Sequence, residues 1–262
     1  MLIDSHCHLN NLSEITRKEI LDTSRNDFQY CFIDSSIDLN SSLASSRLSA
    51  SCDHVYTSLG FHPLSGESFD HQTPKAYGNL IKNNDKVIAV GEIGLDYKAT
   101  ISTKKQEEIF KTFIKIAKDN NLPITIHNRI NPLGDKLNEP QRVLDILDEF
   151  YQTYEMVIFH CFSHSVQILE RIIKKMGFVS FSLNILRKSN KILRSLEKCP
   201  LENILFETDS PYMRIKDTNS TPLDIGKVYD RAAQIKGVAR DELEKQVFLN
   251  ARKAFSFNPG GK

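Results

Sequence analysis

The chain has 262 residues, of which 40% are hydrophobic and 26% are charged, and its formal net charge is +1. These values are ordinary for a globular protein, and the near-zero charge excludes a global field that draws the protein to nucleic acid or to a membrane. No apolar run approaches the ~20 residues that a membrane span needs. No basic segment followed by an apolar stretch opens the chain, so we expect no secretory signal.

The five cysteines are odd in number, widely spaced and without a CxxC pair. This pattern excludes a disulfide framework and a cysteine zinc site, and it fits a reducing compartment. We therefore expect a cytoplasmic protein.

Short apolar segments alternate with helical patterns along the whole chain. The predicted strands are Leu2–Asp4, Tyr30–Asp34, Val55–Gly60, Val87–Gly91, Pro123–His127, Met156–His160, Phe178–Ser182 and Ile204–Asp209. The predicted helices are Leu12–Asp27, Ser35–Ser51, Pro74–Asn83, Thr103–Asn120, Glu139–Tyr151, Ser163–Met176, Lys188–Glu197, Pro222–Lys236 and Asp241–Phe255.

This alternation predicts an α/β fold, a (β/α)8 TIM barrel that forms a single domain over residues 1–262, with residues 258–262 as a frayed tail. The main competitor is a doubly wound open sheet. That fold would show a glycine-rich turn after its first strand, where a phosphate or a cofactor binds. The corresponding turn here is Ser5-His6-Cys7-His8, which favours the barrel.

Candidate metal ligands stand at the ends of most predicted strands. They are His6 and His8 after the first strand, His62 after the third, Glu92 after the fourth, His127 and His160 at the ends of the fifth and sixth, and Asp209 at the end of the eighth. In a barrel, the carboxyl ends of all strands open onto one face, where active sites lie. A polar cluster in this mouth needs a partner that offsets its desolvation, and a metal supplies one.

The mixture of ligand types narrows the choice of metal. Imidazoles combined with carboxylates suit zinc, manganese, cobalt or iron. Even six of these seven candidates would exceed the about three ligands that one catalytic zinc takes from protein, and two metals that share a carboxylate explain the excess. Metals ~3.5–4 Å apart clamp the attacking and leaving oxygens of a displacement, as in phosphatases, nucleases and aminopeptidases.

Six sequence blocks resemble the TatD-like metal-dependent deoxyribonucleases of the amidohydrolase superfamily, in order and spacing, from residue 2 to about residue 255. The blocks are His6-Cys-His8, Gly60-Phe-His62-Pro63, Gly91-Glu-Ile-Gly-Leu-Asp96-Tyr97, Pro123-Ile-Thr-Ile-His127, His160-Cys-Phe-Ser163 and Glu207-Thr-Asp209-Ser-Pro211. The resemblance implies a metal site at the carboxyl face of the barrel and two divalent ions, with zinc, manganese or magnesium as candidates.

The resemblance also implies roles for individual residues. One ion would be held by His6, His8, Glu92 and Asp209, and the other by Glu92, His127 and His160, so that Glu92 bridges. Asp209 would orient or deprotonate the attacking water, and His62 would meet the substrate phosphate or its leaving oxygen. The catalytic residues are thus Asp209, Glu92 and His62.

Three segments at the mouth depart from the family pattern. His164 stands where a glycine is usual, the sequence after His127 is altered over Asn128–Pro140, and another stretch is replaced over Met213–Pro222. None of these changes touches a predicted ligand, so they bear on substrate choice. Within these loops Arg129, Arg214 and Lys216 are candidate phosphate contacts, or solvated loop charges. Glu207 is either support for a ligand or a buried hydrogen-bonding residue.

Three functions are consistent with this sequence. The favoured one is a deoxyribonuclease that acts on single strands or free ends of DNA, as a 3′–5′ exonuclease, and that we assume to be a monomer. The second is a two-metal barrel hydrolase of a small phosphoester, ester or amide. Many superfamily relatives bridge their metals through a modified lysine on strand four, whereas this strand carries Glu92, with Lys98 well beyond it. The third is a barrel that binds nucleic acid or a partner without catalysis.

Overall fold

Eight parallel strands form one sheet in which each strand pairs with its neighbours along the chain, in the order β1 to β8. The computed structural model describes residues 1–27, 29–130, 140–215 and 217–257. The strands are β1 Leu2–Cys7, β2 Tyr30–Ser35, β3 Val55–Leu59, β4 Val87–Asp96, β5 Ile124–Arg129, β6 Val157–Phe159, β7 Phe178–Phe181 and β8 Ile204–Phe206. This sequential order confirms the predicted (β/α)8 barrel.

Helices connect successive strands and cover the outside of the barrel. They are α1 Glu14–Asp27, α2 Leu39–Ser51, α3 Thr73–Lys82, α4 Thr103–Asp119, α5 Pro140–Asp148, α6 Val166–Lys174, α7 Asn190–Lys198, α8 Ile225–Lys236 and α9 Arg240–Phe255. α4 shows why these segments are helical, since Phe110, Phe113 and Ala117 share one buried face. None of the described helices is long and apolar enough to cross a membrane.

The first and last strands of the sheet meet at the carboxyl end of the barrel. The main-chain N–H of Asp209 donates to the carbonyl of His6 at 3.0 Å, and the N–H of His8 donates to the carbonyl of Ser210 at 2.8 Å. These two hydrogen bonds fix Asp209 beside His6 and His8 of the first strand region, although Asp209 lies about 200 residues later in the sequence.

An apolar cluster closes the opposite end of the barrel. It joins residues of several strands, among them Ile33, Phe178 and Leu205, to Ala254 and Phe255 of α9. The Asn250 amide on the same helix donates to the carbonyls of Leu201 and Ile204, where β8 begins. α9 therefore seals the amino ends of the strands, and the carboxyl ends face the loops.

α2 is serine-rich, yet it is helical because its start is well capped. The Asp38 carboxylate accepts from the N–H of Ser41 at 2.7 Å, and the Ser41 hydroxyl accepts from the Asp38 N–H at 3.0 Å. This capping box begins the helix at Leu39, whereas the predicted helix began at Ser35. Ser35 instead ends β2, where it points its polar atoms toward the barrel mouth residues His6 and His8.

Strand bounds differ from the predicted ones where polar residues continue a strand. β1 extends through Cys7 and β4 through Asp96, so His6 and Glu92 lie inside strands and not after them. A short hairpin of β9 Arg214–Ile215 and β10 Thr218–Asn219 was not predicted, because two-residue strands give no periodic signal. Residues 131–139 of the altered loop, Lys216 and the tail at 258–262 lie outside the described residues.

Candidate metal centre

All seven predicted metal-site and catalytic side chains converge in the barrel mouth, and Glu92 lies at their centre. Its Oε2 atom lies 3.5 Å from Nε2 of His6 and 3.9 Å from Nε2 of His8. Its Oε1 atom lies 2.5 Å from Nδ1 of His127 and 2.8 Å from Nε2 of His160. Each carboxylate oxygen thus faces a different pair of imidazoles, which is the arrangement that a bridging ligand requires.

Four of the histidines turn their second ring nitrogen toward an acceptor. Nδ1 of His8 donates to the Ser35 carbonyl at 2.8 Å, and Nε2 of His127 donates to Asp96 at 2.9 Å. For the other two, Nδ1 of His6 lies 3.1 Å from the Ser35 hydroxyl and Nδ1 of His160 lies 3.4 Å from Glu207. A proton on the outer nitrogen leaves the inner nitrogen with a free lone pair, which is the form that binds a metal.

His62 has the opposite arrangement. Its Nδ1 accepts a hydrogen bond from the main-chain N–H of Leu64 at 3.0 Å, so the proton of the neutral ring sits on Nε2. That Nε2 lies 3.6 Å from Oε1 of Glu92 and 3.3 Å from Nδ1 of His127. His62 therefore offers an N–H donor to the centre. Nearby carboxylates outweigh burial and raise the pKa of His8, His127 and His160, so the inner nitrogens of these rings would offer lone pairs once a metal ion displaces their protons.

Burial and close charges set the ionisation of the centre. Burial alone would raise the pKa of Glu92. The neighbouring imidazoles, of which His160 has the strongest effect, lower it by more, so the pKa of Glu92 lies well below its usual value. Burial, reinforced by His127, lowers the pKa of His62 to about 3. At neutral pH the centre therefore holds an ionised Glu92 and a neutral His62.

Asp209 is held in place by its neighbours along β8 and β1. Its backbone has a φ of 51°, in the left-handed region that aspartate tolerates better than most residues. The Thr208 main-chain N–H and hydroxyl both donate to the Asp4 carboxylate, at 2.9 Å and 2.6 Å. Oδ1 of Asp209 lies 3.5 Å from Nε2 of His8, and its side chain is the most exposed of these acids and imidazoles, at 13%.

The donor set fits divalent metal ions. Within the described residues, three groups of side chains have ligand atoms that all lie within 4.8 Å of one another: His6, His8 and Glu92; His6, His160 and Asp209; and His62, Glu92 and His127. Neutral imidazoles and ionised carboxylates are the ligands that zinc and manganese take. Without a cation, so many buried polar groups in contact would be costly.

The two arginines predicted to contact the substrate lie outside the cluster of imidazoles around Glu92. Arg129 is exposed, but its guanidinium lies 3.3 Å from the Asp96 carboxylate, which also accepts from His127. Arg214 is exposed on β9, outside the imidazole cluster. His164 is buried, and burial lowers its pKa to about 4.

Sequence reasoning missed Asp96 and Ser35 as supports of the ligands, and it left two roles open for Glu207. Glu207 accepts from the main-chain N–H of Cys161 at 2.6 Å, which is the predicted hydrogen-bonding role, and its Oε1 lies 3.4 Å from Nδ1 of His160. Asp96 follows Glu92 at an even spacing on β4, and this spacing was a usable signal because alternate residues share a face. Ser35 gave no signal, since its carbonyl group is common to all residues.

Comparison with known proteins shows the family of this chain. The family described as TatD related DNase matches residues 3–256. The chain belongs to the TatD family. An uncharacterized metal-dependent hydrolase of Methanocaldococcus jannaschii is 31% identical over 258 residues, which cover 97% of this chain and 96% of that protein. A Salmonella typhimurium protein named 3′-5′ ssDNA/RNA exonuclease TatD is 26% identical, over 80% of this chain and 81% of its own length.

Solved structures of TatD proteins have the same fold. The crystal structure of the TatD homologue YjjV from Escherichia coli superposes with a TM-score of 0.87 at 22% identity, covering 98% of both chains. A TatD family hydrolase from Entamoeba histolytica gives a TM-score of 0.81 at 18% identity, covering 97% of both chains. The TatD family and its relatives identify this chain as a metal-dependent hydrolase.

Proposed function

We propose that this TatD family hydrolase is a deoxyribonuclease that cleaves phosphodiester bonds with two divalent ions, as a 3′–5′ exonuclease on single strands or free ends of DNA. The observation that carries the proposal is the placement of Glu92, whose two carboxylate oxygens face separate pairs of imidazoles. Two ions held by this carboxylate and the imidazoles would supply the two-metal chemistry that suits an in-line displacement at phosphorus.

The ligand sets of the proposal are those that the family resemblance implies. His6, His8, Glu92 and Asp209 would hold one ion. Glu92, His127 and His160 would hold the other. When bound, such ions supply Lewis acidity toward a phosphoryl oxygen and lower the pKa of water; zinc, manganese and magnesium are the candidates.

Two side chains are placed to act on the reacting groups. Asp209 is ionised, because its hydrogen bond to His8 and the nearby imidazoles outweigh burial and lower its pKa, so it can accept the proton of the attacking water. His62 stays neutral and presents its Nε2–H, so it donates a hydrogen bond to the phosphoryl or leaving oxygen and stabilises the charge that develops there.

The Salmonella relative supports the class of substrate. Its name states a 3′–5′ exonuclease of single-stranded DNA and RNA, and its match covers most of this chain. The family description also names a DNase. We carry DNA, strand ends and the 3′–5′ direction from these relatives as parts of the proposal, and the cytoplasmic location stays a prediction.

The alternative substrate is a small phosphoester, ester or amide. Support comes from the contacts of Glu92 with His6 on one side and His160 on the other, while the main-chain N–H of Lys98 donates to Asp96. A carboxylate bridge at this point favours the nuclease over relatives that bridge through a lysine. A panel of DNA, RNA, a dinucleotide and a simple phosphodiester distinguishes these substrates.

The nuclease proposal is tested on short DNA labelled at its 5′ end. Protein stripped with a chelator is assayed alone and after addition of manganese, magnesium or zinc, with metal content measured in parallel. We expect no cleavage without metal, and with metal a ladder of products shortened from the 3′ end. Blocking the 3′ end should stop the reaction, which separates the exonuclease from an endonuclease.

The matched variants are Asp209→Asn and Asp85→Asn, the second being an exposed carboxylate outside the mouth. The first should lose activity and the second should keep it. Cleavage that survives both chelation and Asp209→Asn would overturn the proposal, since it would come from a contaminating nuclease or from another site.

A further inference from the structure

Tyr212 carries an exposed aromatic ring three residues after Asp209. Its side chain is 55% exposed, and the seven other exposed large apolar side chains among the described residues carry no ring. An aromatic side chain gains about 1.5–3 kcal/mol on burial, so exposure at the edge of an otherwise buried site needs an explanation. A ligand that covers the Tyr212 ring would explain its exposure.

The exposed ring is held in a fixed position. It meets the His8 imidazole edge-on, with the two centroids 4.8 Å apart and the planes at 73°. Its hydroxyl accepts a hydrogen bond from the Asn11 side-chain amide. The main-chain N–H of Met213 donates to the carbonyl of Asp209 at 3.0 Å, which fixes the loop that carries the ring. A preorganised ring loses little conformational freedom when a ligand binds to it.

Two arginines, one on this loop and one after β7, add positive charge. The guanidinium of Arg187, which follows β7, donates to the carbonyl of Arg214 at 3.3 Å, so these two exposed residues are neighbours. Within the described part of the chain, neither of them has a carboxylate at ion-pair distance. Unpaired guanidinium groups suit phosphate groups, and the loop therefore combines a ring with charges that match a nucleic acid strand.

We propose that Tyr212 is a stacking platform for a nucleobase of a single-stranded substrate, next to the bond that is cleaved. The inference rests on the proposed nuclease function and adds to it the contact that recognises a base. A phosphodiester held by the centre places its base near Tyr212, because the ring contacts His8, one of the proposed ligands. Stacking accepts any base, so we expect strong preference for a base over none and weak preference among bases.

The first test uses the absence of tryptophan from this chain. In the variant Tyr212→Trp, the new indole is the sole tryptophan, and stacking of a base on it quenches its emission. The probe is a short thymidine oligonucleotide with phosphorothioate linkages that resist cleavage, added to the metal-loaded protein. The control probe has the same backbone with abasic sugars. We expect saturable quenching by the thymidine probe and at least about fivefold weaker binding of the abasic probe.

The second test removes the ring. Tyr212→Leu keeps an apolar side chain beside His8, and Tyr212→Phe keeps the ring but loses the hydrogen bond from Asn11. Affinity for the labelled thymidine probe should fall at least about fivefold in the first variant and change little in the second, with the metal content of both unchanged. Equal affinity of the Leu variant and the unchanged protein would overturn the platform, and so would loss of metal in that variant, because the ring would then only support His8.

The outcomes separate this inference from the nuclease proposal. Quenching by the thymidine probe without turnover of any phosphodiester would keep the platform and refute the nuclease. Turnover of DNA with equal binding of the thymidine and abasic probes would keep the nuclease and refute the platform.

Discussion

The two ends of the barrel are built from opposite kinds of side chain. At the amino end, apolar residues of the strands pack against Ala254 and Phe255 of α9. At the carboxyl end, buried acids and imidazoles contact one another around Glu92. Apolar burial stabilises the fold, whereas burial of ionisable groups costs free energy unless they are paired. The closed end thus contributes stability, and the open end is organised for metal binding and chemistry.

Removing the Glu92 charge should give the largest effect on activity. In Glu92→Gln the shared ligand is lost, and we expect hydrolysis to fall by about 10³-fold or more, since several kcal/mol of transition-state stabilisation depend on the metals. Activity and metal content are measured together, with the exposed Glu170→Gln as the control. If Glu92→Gln kept both its metal content and its activity, the open end of the barrel would not be the site of metal binding and chemistry.

A substitution at the closed end should change stability and leave chemistry alone. Phe255 is 2% exposed, and Phe255→Ala should lower the free energy of unfolding by about 3–5 kcal/mol. Leu249→Ala on the same helix, where the side chain is 54% exposed, should cost far less. Denaturant unfolding gives the stability, and activity per folded molecule at low temperature should match the unchanged protein. A loss of activity per folded molecule in Phe255→Ala would contradict the assignment of stability to the amino end and of chemistry to the carboxyl end.

Substitution of His62 distinguishes a hydrogen-bond donor from a metal ligand at the open end of the barrel. His62→Ala should lower kcat by about 10²–10³-fold, as loss of one preorganised donor does, while metal content stays unchanged. The exposed His71→Ala is the control. Loss of one equivalent of metal in His62→Ala would make His62 a ligand and would disprove the tautomer deduced from its bond to Leu64.

The smallest expected effect comes from a support of the ligands. Asp96→Asn weakens the hold on Nε2 of His127 and should lower metal affinity by about 10–100-fold, with activity restored at high metal concentration. Affinity is measured by titration of the chelated protein, and Asp85→Asn serves again as the exposed control. An unchanged affinity would show that His127 needs no such support.

Much of the architecture could be predicted from the sequence, because strand and helix patterns alternate and polar residues gather toward the carboxyl ends of the strands. The bounds of β1 and β4 could not, since His6 and Glu92 interrupt the apolar pattern while the main chain continues its ladder. The hairpin over Arg214–Asn219 has strands too short to show a period.

Within the site, the residue types were predictable and their orientations were not. His62 and the four other histidines look alike in the sequence, and the difference between them depends on which groups face the second ring nitrogen. For His62 that group is the N–H of Leu64, and for His8 it is a carbonyl contributed by β2. Such main-chain partners exist only after folding.

Anomalous scattering from a crystal of the manganese-loaded protein would show directly whether Glu92 bridges two cations. We expect two anomalous peaks ~3.5–4 Å apart, one beside His6 and His8 and the other beside His127 and His160, with Glu92 between them. A single peak on one side of Glu92, or two peaks that share no oxygen of this carboxylate, would contradict this bridging role.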